Sequence, residues 1–358
     1  MHIPDGYLSP QTCAALYVAA TPFWFAAGRR VRKVVTSRYV PLVSIGATYC
    51  FLIMMFNVPI PDGTTAHAVG GVLIACMLGP WAAVIAVSTA LLIQALLFGD
   101  GGVLAFGANA FNMAIVMPLT GYAVYRAVAG NSSLVSRRRA IAAGFGGYVG
   151  LNLSALFAAV EFGLQPGLFH RADGTPLYSP FYISQTIPTM MFSHLLIAGV
   201  VEFALTAGVV AYLQRANLPM MRINHPGFGA DTGDREVPHR AGWKRPALVL
   251  SVMALATPLG LIAPGRAFGE DAPRDLNLAR YHLDAVPNGL RHYAGFFHNA
   301  LFDGYGFKND AHPAIGYVIS AVAGSALIAV AFMIWIGLRH LARRCKAQRV
   351  RHAAEALA

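Results

Sequence analysis

The chain opens with nitrogen donors that suit a transition metal, since its first six residues are MHIPDG. The α-amine of Met1, the deprotonated backbone amide of His2 and one imidazole nitrogen of His2 can chelate one ion together. The fused rings are nearly coplanar, and one further nitrogen completes a square plane, a geometry that favours nickel(II) or copper(II). Pro4 and Gly6 favour a turn back toward the protein. A histidine in second position is incidental in most proteins, so the hypothesis requires Met1 to be an uncleaved terminus outside the cell.

His67 is the best candidate for the fourth nitrogen. It ends the segment 61–67, PDGTTAH, which is predicted to be an outer loop on the same side as the N-terminus. A loop histidine is usually just solvated. This one, however, leads into an apolar segment that has no other polar anchor, which favours a role at the site.

Six further polar residues lie in or beside apolar segments and are candidates for supporting the site or lining a pathway: Gln94, Asp100, Asn109, Asn112, His194 and Glu202. Polar groups inside a membrane span indicate either a pathway or packing between helices. A histidine ligand usually donates its second ring nitrogen to an outer-shell oxygen, which Gln94, Asn109 or Asn112 could supply. Asn109 and Asn112 are three residues apart and share a helical face, so helix packing or support of the site is their expected role.

Glu202 is the only unambiguous carboxylate inside a predicted span, and an intramembrane acid is a functional candidate by default. It follows His194 by eight residues, which places both on about the same helical face. Its depth predicts a position in the inner half of the membrane, away from His2 and His67. Hydrogen bonding between helices is its expected role.

The composition is that of a membrane protein. Apolar residues make up 56% of the 358 positions, charged residues 12%, and the mean hydropathy is +0.53. A soluble domain would carry about a quarter charged residues. The net charge of +11 is divided into short basic blocks between apolar runs, a membrane pattern that argues against a nucleic-acid partner. The four cysteines are scattered without a CxxC motif, so no disulfide is predicted.

Nine apolar segments predict an all-α polytopic fold: 10–28, 40–57, 68–79, 81–98, 105–127, 140–160, 186–213, 247–263 and 314–338. A helix needs about 20 residues to cross roughly 30 Å of hydrocarbon. The segment 68–79 is short and ends at Gly79-Pro80, so it is either a half-crossing or a helix sunk among its neighbours.

The basic residues predict an N-terminus outside and a C-terminus inside. Of the 27 Lys and Arg residues, 21 lie in the connections 28–39, 126–139 and 214–245 and in the tail from Arg339, which are then all on the inner side. Residues 1–10 contain no Lys or Arg, and the basic cluster follows the first apolar run. This order differs from a signal peptide, so the first segment is expected to be retained.

Three regions follow from this pattern. Residues 1–213 are predicted to be a core of seven segments, and the polar stretch 214–244 an inner linker. Residues 245–358 are predicted to be a unit of two spans around a long outer loop. The chain has no GxxxxGK[ST] phosphate-binding loop and no HExxH motif, so it is predicted not to hydrolyse ATP itself.

The motifs resemble a known family, the CbiM/NikM proteins, over about residues 1–213. The similarity is carried in order by five stretches: MHIPDGYLSP at 1–10, HAVGG at 67–71, QALLFGDGG at 94–102, GANAFNM at 107–113, and the stretch from His194 through Gly199 to Glu202. These proteins are the substrate-binding membrane subunits of cobalt and nickel energy-coupling factor transporters. The resemblance implies that Met1, His2 and His67 are the metal ligands. It also implies partners, namely ATPase subunits and a transmembrane coupling subunit.

The C-terminal unit is similar to the PDGLE/NikN-type component that is sometimes fused to this family. The similarity rests on VPNGL at 286–290 and on the two-span topology, whereas Asn288 and Arg291 depart from the acidic positions of that motif. Its role is left open.

The leading hypothesis is a subunit in the plasma (inner) membrane that carries Ni²⁺ or Co²⁺ as substrate and depends on an ATPase partner. A self-contained secondary permease is the alternative. It needs a chain of ionisable groups through the bilayer, and the sequence offers few such groups beyond Glu202 and His194. A membrane metalloenzyme needs an open metal position and a catalytic base, which four in-plane nitrogens do not offer. The square-planar preference of Ni²⁺ favours nickel over cobalt without deciding between them.

Overall fold

A computed structural model describes residues 2–34, 39–60, 64–225, 244–263, 266–307 and 312–355. The described chain is mostly helical, with one short antiparallel hairpin of β1 and β2. In chain order the elements are α1 (Pro10–Val34), α2 (Tyr39–Met54), β1 (Val58–Ile60), β2 (Thr64–Ala66), α3 (Gly71–Leu78), α4 (Pro80–Ile93), α5 (Phe106–Asn109), α6 (Met117–Ala129), α7 (Arg137–Leu168), α8 (Ile183–Ser193), α9 (Gly199–Ala216), α10 (Leu218–Arg222), α11 (Lys244–Ala256), α12 (Asn288–Tyr293) and α13 (Pro313–Glu355).

Within the described residues, four helical runs are long and apolar enough to cross a membrane: Pro80–Phe98, Arg137–Leu168, Ile183–Ala216 and Pro313–Leu338. Tyr39–Met54 and Pro246–Ile262 are shorter apolar helices. Each of the nine apolar segments of the sequence overlaps a described helix. The protein is therefore an all-α membrane protein.

The short helix α3 does not span a membrane. Its 8 residues are all buried, and at about 1.5 Å per residue they extend roughly 12 Å, far less than the roughly 30 Å of hydrocarbon. The length and burial of α3 fit both options for segment 68–79, a half-crossing and a helix sunk among its neighbours, and argue against a full crossing. Because α3 begins just after His67, its burial brings the candidate ligand into the bundle.

Three of the helical runs contain a π-helical segment, at Gln94–Phe98, Ala110–Val116 and His194–Ala198. Each segment contains or directly follows a polar candidate residue of the sequence. A π segment inserts an extra residue into the α-helical ladder and is frequent at functional sites. The sequence pattern did not indicate them.

Close packing of α6 against α7 makes the middle of the core rigid. A Cβ at Gly150 would lie 2.6 Å from the carbonyl oxygen of Met117, and a Cβ at Gly146 would meet the carbonyl oxygen of Gly121. Only glycine therefore permits this approach of the two backbones, as is common between membrane helices. α7 also packs against α8 and α9, which positions the polar residues of these helices.

The stretch 214–225, predicted as the start of a linker, is largely helical and is packed on the core. α9 continues to Ala216, and α10 follows directly. The side-chain amide of Asn224 donates to the carbonyl oxygens of Ala75 and Cys76, both at 3.2 Å. These carbonyls are in the last turn of α3, where helix carbonyls need donor partners beyond the helix, and that of Ala75 also accepts from the Gly79 amide at 3.0 Å. Residues 226–243 of the predicted linker lie outside the described residues.

The C-terminal unit packs on the core through α11 and α13, which both contact α2. The chain between them, described over 266–307, makes contacts with the N-terminal segment and with the end of α4's helical run. The hydroxyl of Tyr7 donates to the carbonyl oxygen of Asp271 at 2.8 Å. The backbone amide of Phe302 donates to the carbonyl oxygen of Leu97 at 2.9 Å.

Candidate metal site

The N-terminal segment is inserted into the core ahead of α1. The amide of Ile3 donates to the side-chain oxygen of Asn109 at 2.8 Å, and the side-chain nitrogen of Asn109 donates back to the Ile3 carbonyl at 3.0 Å. The Gly102 amide donates to the same carbonyl at 2.8 Å. His2 is 2% exposed and Ile3 is fully buried. Asn109 therefore holds the backbone of Ile3, next to His2, and its predicted role in supporting a metal site stays a prediction.

Asp5 fixes the next part of the segment. Its two carboxylate oxygens accept from the backbone amides of Ala105 at 3.0 Å and Val103 at 3.1 Å. Burial raises the pKa of Asp5, while these hydrogen bonds oppose the rise. A side chain at Gly102 would collide with Asp5, and Gly6 has a φ of +92° that favours glycine. The predicted turn at Gly6 is thus present.

His67 lies between β2 and α3 with its ring stacked on that of His2. The ring centroids are 5.0 Å apart and the planes are inclined by 29°. Nδ1 of His67 is 3.1 Å from the carbonyl oxygen of Ala68. A carbonyl only accepts, so Nδ1 carries the hydrogen and Nε2 carries the free lone pair. Burial lowers the pKa of His67 well below its usual value, which keeps the imidazole neutral and able to bind a cation.

His2 is held in a similar way by Asp100, whose Oδ1 lies 3.0 Å from Nδ1 of His2. Burial alone would raise the pKa of Asp100, but the His2 ring and the hydrogen bonds from His2 and Tyr305 hold it below its usual value. The carboxylate accepts, so Nδ1 of His2 carries a hydrogen, and Nε2 is the ring nitrogen left to bind an ion.

The Nε2 atoms of His2 and His67 are both buried and have no hydrogen-bond partner among the described residues. A buried polar atom without a partner costs about 1–3 kcal/mol. Two such ring nitrogens on stacked imidazoles form a pair of donors that one metal ion would satisfy.

The backbone amide of His2 donates to Oε1 of Glu270 at 3.0 Å, so the C-terminal unit also contacts the site. This contact affects the predicted fused-ring chelate. The imidazole and the backbone amide of one histidine can form a chelate ring with a metal ion only through Nδ1. Here Nδ1 of His2 contacts Asp100, and the His2 amide donates to Glu270. That chelate therefore requires His2 to leave both carboxylates, whereas binding through Nε2 does not.

The described residues supply two of the three predicted ligand residues, and Met1 lies outside them. Within the described ranges, no group of three or more His, Cys, Asp or Glu side chains is placed to hold a metal ion.

Gln94 and Asp100 form a chain of hydrogen bonds with Tyr305 of the C-terminal unit. Nε2 of Gln94 donates to the Tyr305 hydroxyl at 2.9 Å and to Oδ2 of Asp100 at 3.4 Å. The Tyr305 hydroxyl donates to Oδ2 of Asp100 at 2.5 Å. Sequence analysis identified Gln94 and Asp100 but missed Tyr305, because no motif links a tyrosine in the outer loop to the fourth apolar segment.

Asn112 and His194 have partners other than the two stacked rings. The side-chain nitrogen of Asn112 donates to Oε2 of Glu161 at 2.8 Å, and Nδ1 of His194 is 2.7 Å from the carbonyl oxygen of Met190. Glu161 is buried inside α7. The expectation that Glu202 is the only carboxylate within a span is therefore wrong, because the helix continues to Leu168, past the predicted end at 160.

The predicted location of Glu202 is also wrong. Its Oε2 accepts from the backbone amides of Val69 at 2.9 Å and Gly70 at 3.1 Å, directly after His67. Thr206 donates to Oε1 at 3.3 Å. The chain from β2 to α3 enters the bundle and reaches α9. The carboxyl group of Glu202 therefore holds the backbone that follows His67. Its expected role in hydrogen bonding to a neighbouring element is retained.

Comparison with known proteins gives the family. Residues 2–220 match the family model described as the CbiM cobalt uptake substrate-specific transmembrane region. The chain belongs to the CbiM family. It is 44% identical over 355 residues to the fused nickel transport protein NikMN of Rhodobacter capsulatus, covering 96% of this chain and 99% of that protein. It is 42% identical over 345 residues to the "probable fused nickel transport protein LarMN" of Lactiplantibacillus plantarum, covering 95% and 98%.

The core of this CbiM-family chain also resembles a solved structure. A crystal structure of a truncated transition metal transporter is 54% identical, with a TM-score of 0.56, and covers 60% of this chain and 98% of its own. These relatives are transport proteins for nickel or a transition metal, and the family model is for cobalt uptake. The chain is accordingly a membrane component of metal transport, with a NikN-like part fused after the core.

Proposed function

We propose that this CbiM-family chain is the substrate-binding subunit of an ATP-driven energy-coupling factor importer for Ni²⁺ or Co²⁺. It resides in the plasma (inner) membrane with nine apolar segments, the N-terminus outside and the C-terminus inside. The distribution of 21 of the 27 Lys and Arg residues over the proposed inner side supports this topology. ATP hydrolysis occurs on separate ATPase subunits, which act through a transmembrane coupling subunit.

The observation that carries the proposal is the pair of buried, unpartnered Nε2 atoms on the stacked rings of His2 and His67. The terminal amine of Met1 joins them as a third donor. Nitrogen donors in a tetragonal arrangement suit Ni²⁺. The nickel named in the relatives and the cobalt named in the family model agree with this donor set.

His67→Ala tests the site directly. The variant removes one of the two Nε2 donors while leaving the Glu202 contacts to Val69 and Gly70 in place, so the fold should persist. We expect the wild-type chain purified in detergent to bind Ni²⁺, and the variant to lose binding by at least about tenfold, as expected when even an outer-shell partner is lost. Isothermal titration with Ni²⁺ and Co²⁺ measures this, and an unchanged affinity would remove His67 from the site.

A secondary permease is the remaining alternative, but the groups that it would need for proton coupling have other partners. Glu202 accepts from two backbone amides, and Nδ1 of His194 contacts a backbone carbonyl. Metal uptake by cells that express the chain with its partners should fall to background when the ATPase is inactivated. Proton-driven uptake by the chain alone in liposomes would favour the permease.

A further inference from the structure

The C-terminal unit reaches the candidate metal site through the side chains of Glu270 and Tyr305, and Tyr305 contacts the carboxylate that lies against the His2 ring. Its hydroxyl donates to Oδ2 of Asp100 at 2.5 Å, and Oδ1 of the same carboxylate contacts Nδ1 of His2 at 3.0 Å. Gln94 donates to the Tyr305 hydroxyl at 2.9 Å. A continuous series of hydrogen bonds thus joins α4's helical run, the C-terminal unit and the His2 ring.

Tyr305 is fixed by its surroundings on all sides. Its ring is stacked on Phe98, with centroids 5.0 Å apart, and it also contacts Phe51 at 6.4 Å. The hydroxyl of Ser320 donates to its backbone carbonyl at 3.0 Å. Tyr305 is 6% exposed. The hydroxyl therefore has little freedom to move away from Asp100.

The backbone of Tyr305 provides an independent indication. Its φ is +63°, in the left-handed region, which a bulky residue rarely adopts. Backbone strain of this kind costs about 1–3 kcal/mol and persists where the surroundings over-determine it, often at functional sites. Gly304, with a φ of +65°, permits the turn that brings Tyr305 to this position.

We propose that Tyr305 is a positioning residue of the metal site: it fixes Asp100, and Asp100 fixes the His2 ring so that Nε2 is presented to the ion. A carboxylate that accepts from the second nitrogen of a metal-bound histidine sets the tautomer and orientation of the ring. The inference rests on the proposed function and extends it, because it makes the fused C-terminal unit part of the metal site. The truncated transition metal transporter matches only the core of the chain, so this contribution is additional to the core.

The test uses the full chain purified in detergent and titrated with NiCl₂. Tyr305→Phe removes the hydroxyl and keeps the ring that stacks on Phe98. We expect nickel binding to weaken about tenfold, the lower end of the range for loss of an outer-shell partner of a histidine ligand. Tyr317→Phe is the matched control. Its ring lies 5.4 Å from that of Tyr305, and its hydroxyl has no hydrogen bond among the described residues, so its affinity should equal that of the wild type.

A double-mutant cycle with Asp100→Ala separates positioning from a general structural role. If Tyr305 acts through Asp100, adding Tyr305→Phe to Asp100→Ala should weaken nickel binding no further, since interacting residues are non-additive. The visible absorption of bound Ni²⁺ should change in Tyr305→Phe and be unchanged in Tyr317→Phe.

Two outcomes would overturn the inference. One is wild-type affinity in Tyr305→Phe, and the other is an additive effect in the Asp100→Ala background. Either result, obtained while His67→Ala loses binding, refutes the positioning role alone. Absence of nickel binding by the wild-type chain refutes the proposed function and the inference with it.

Discussion

Glu202 offers a test of how a buried side chain of α9 supports the candidate metal site. Its Oε2 accepts from the amides of Val69 and Gly70, the second and third residues after His67. Glu202→Ala leaves both amides without an acceptor. Each buried, unsatisfied amide costs about 1–3 kcal/mol, so the two together cost about 2–6 kcal/mol.

The segment can reduce this cost by moving toward other acceptors, and such movement displaces His67. Nickel binding needs His67 in its original position, so the ion must reverse any displacement that has relieved part of this cost. If the displacement relieves about 1.4 kcal/mol, nickel binding weakens about tenfold. We therefore expect at least about a tenfold loss of nickel affinity in Glu202→Ala. In Glu202→Gln one carbonyl oxygen can still accept from both amides, and its side-chain nitrogen can donate to Thr206. We expect a change of less than about threefold for this variant, equivalent to roughly 0.6 kcal/mol.

Isothermal titration of the purified chain with Ni²⁺ measures these affinities, and thermal unfolding in detergent monitors the fold. Thr206→Val is the matched control, since it removes only the 3.3 Å contact to Oε1 and leaves the acceptor of both amides in place. Equal and large losses in Glu202→Gln and Glu202→Ala would refute the reasoning, because they would show that charge, and not the acceptor, is required. Wild-type affinity in Glu202→Ala would also refute it.

Two further predictions concern the N-terminal segment. An uncleaved N-terminal tag should abolish metal uptake, because it converts the Met1 amine to a peptide nitrogen. A tag after Ala358 should leave uptake unchanged. Full uptake by the N-tagged chain, at equal expression, would leave a site of His2 and His67 alone. Asn109→Ala should weaken nickel binding about tenfold, since about 1–3 kcal/mol is lost when the buried Ile3 amide has no acceptor. Asn112→Ala is its control on the same helix, because Asn112 contacts Glu161 and not the N-terminal segment, and it should lower thermal stability while retaining affinity.

The sequence was sufficient to bring His2 and His67 to one place, although they are 65 positions apart. Both were assigned to the outer side by the distribution of basic residues, and the structure stacks their rings. Asp100 and Gln94 could be selected because polar residues at the end of an apolar run are few. Asn109 was selected for the same reason, but its true partner, the Ile3 backbone, could not be predicted because no pattern encodes where a terminal segment inserts.

Other features depended on information that periodicity does not contain. The periodicity of α9 predicts which helical face carries Glu202. The contact of Glu202 with Val69 and Gly70, however, depends on how deeply the chain after β2 enters the bundle. The long outer loop has no repeating pattern that could pair Tyr305 with Asp100 or Glu270 with His2. The π-helical segments depend on a change in hydrogen-bond register that residue types alone do not reveal.

The helix α3 is held at both ends, which has a consequence for transport. At its N-terminal end Glu202 accepts from the two amides that precede it, next to His67. At its C-terminal end the hydroxyl of Tyr39 donates to the carbonyl oxygen of Leu78, and Asn224 donates to those of Ala75 and Cys76. A buried, close-packed helix of 8 residues with both termini bonded moves as a unit. A shift of His67 on metal binding would thus be transmitted to the segment around Asn224, on the proposed inner side, where an energy-coupling partner could detect whether the site is loaded.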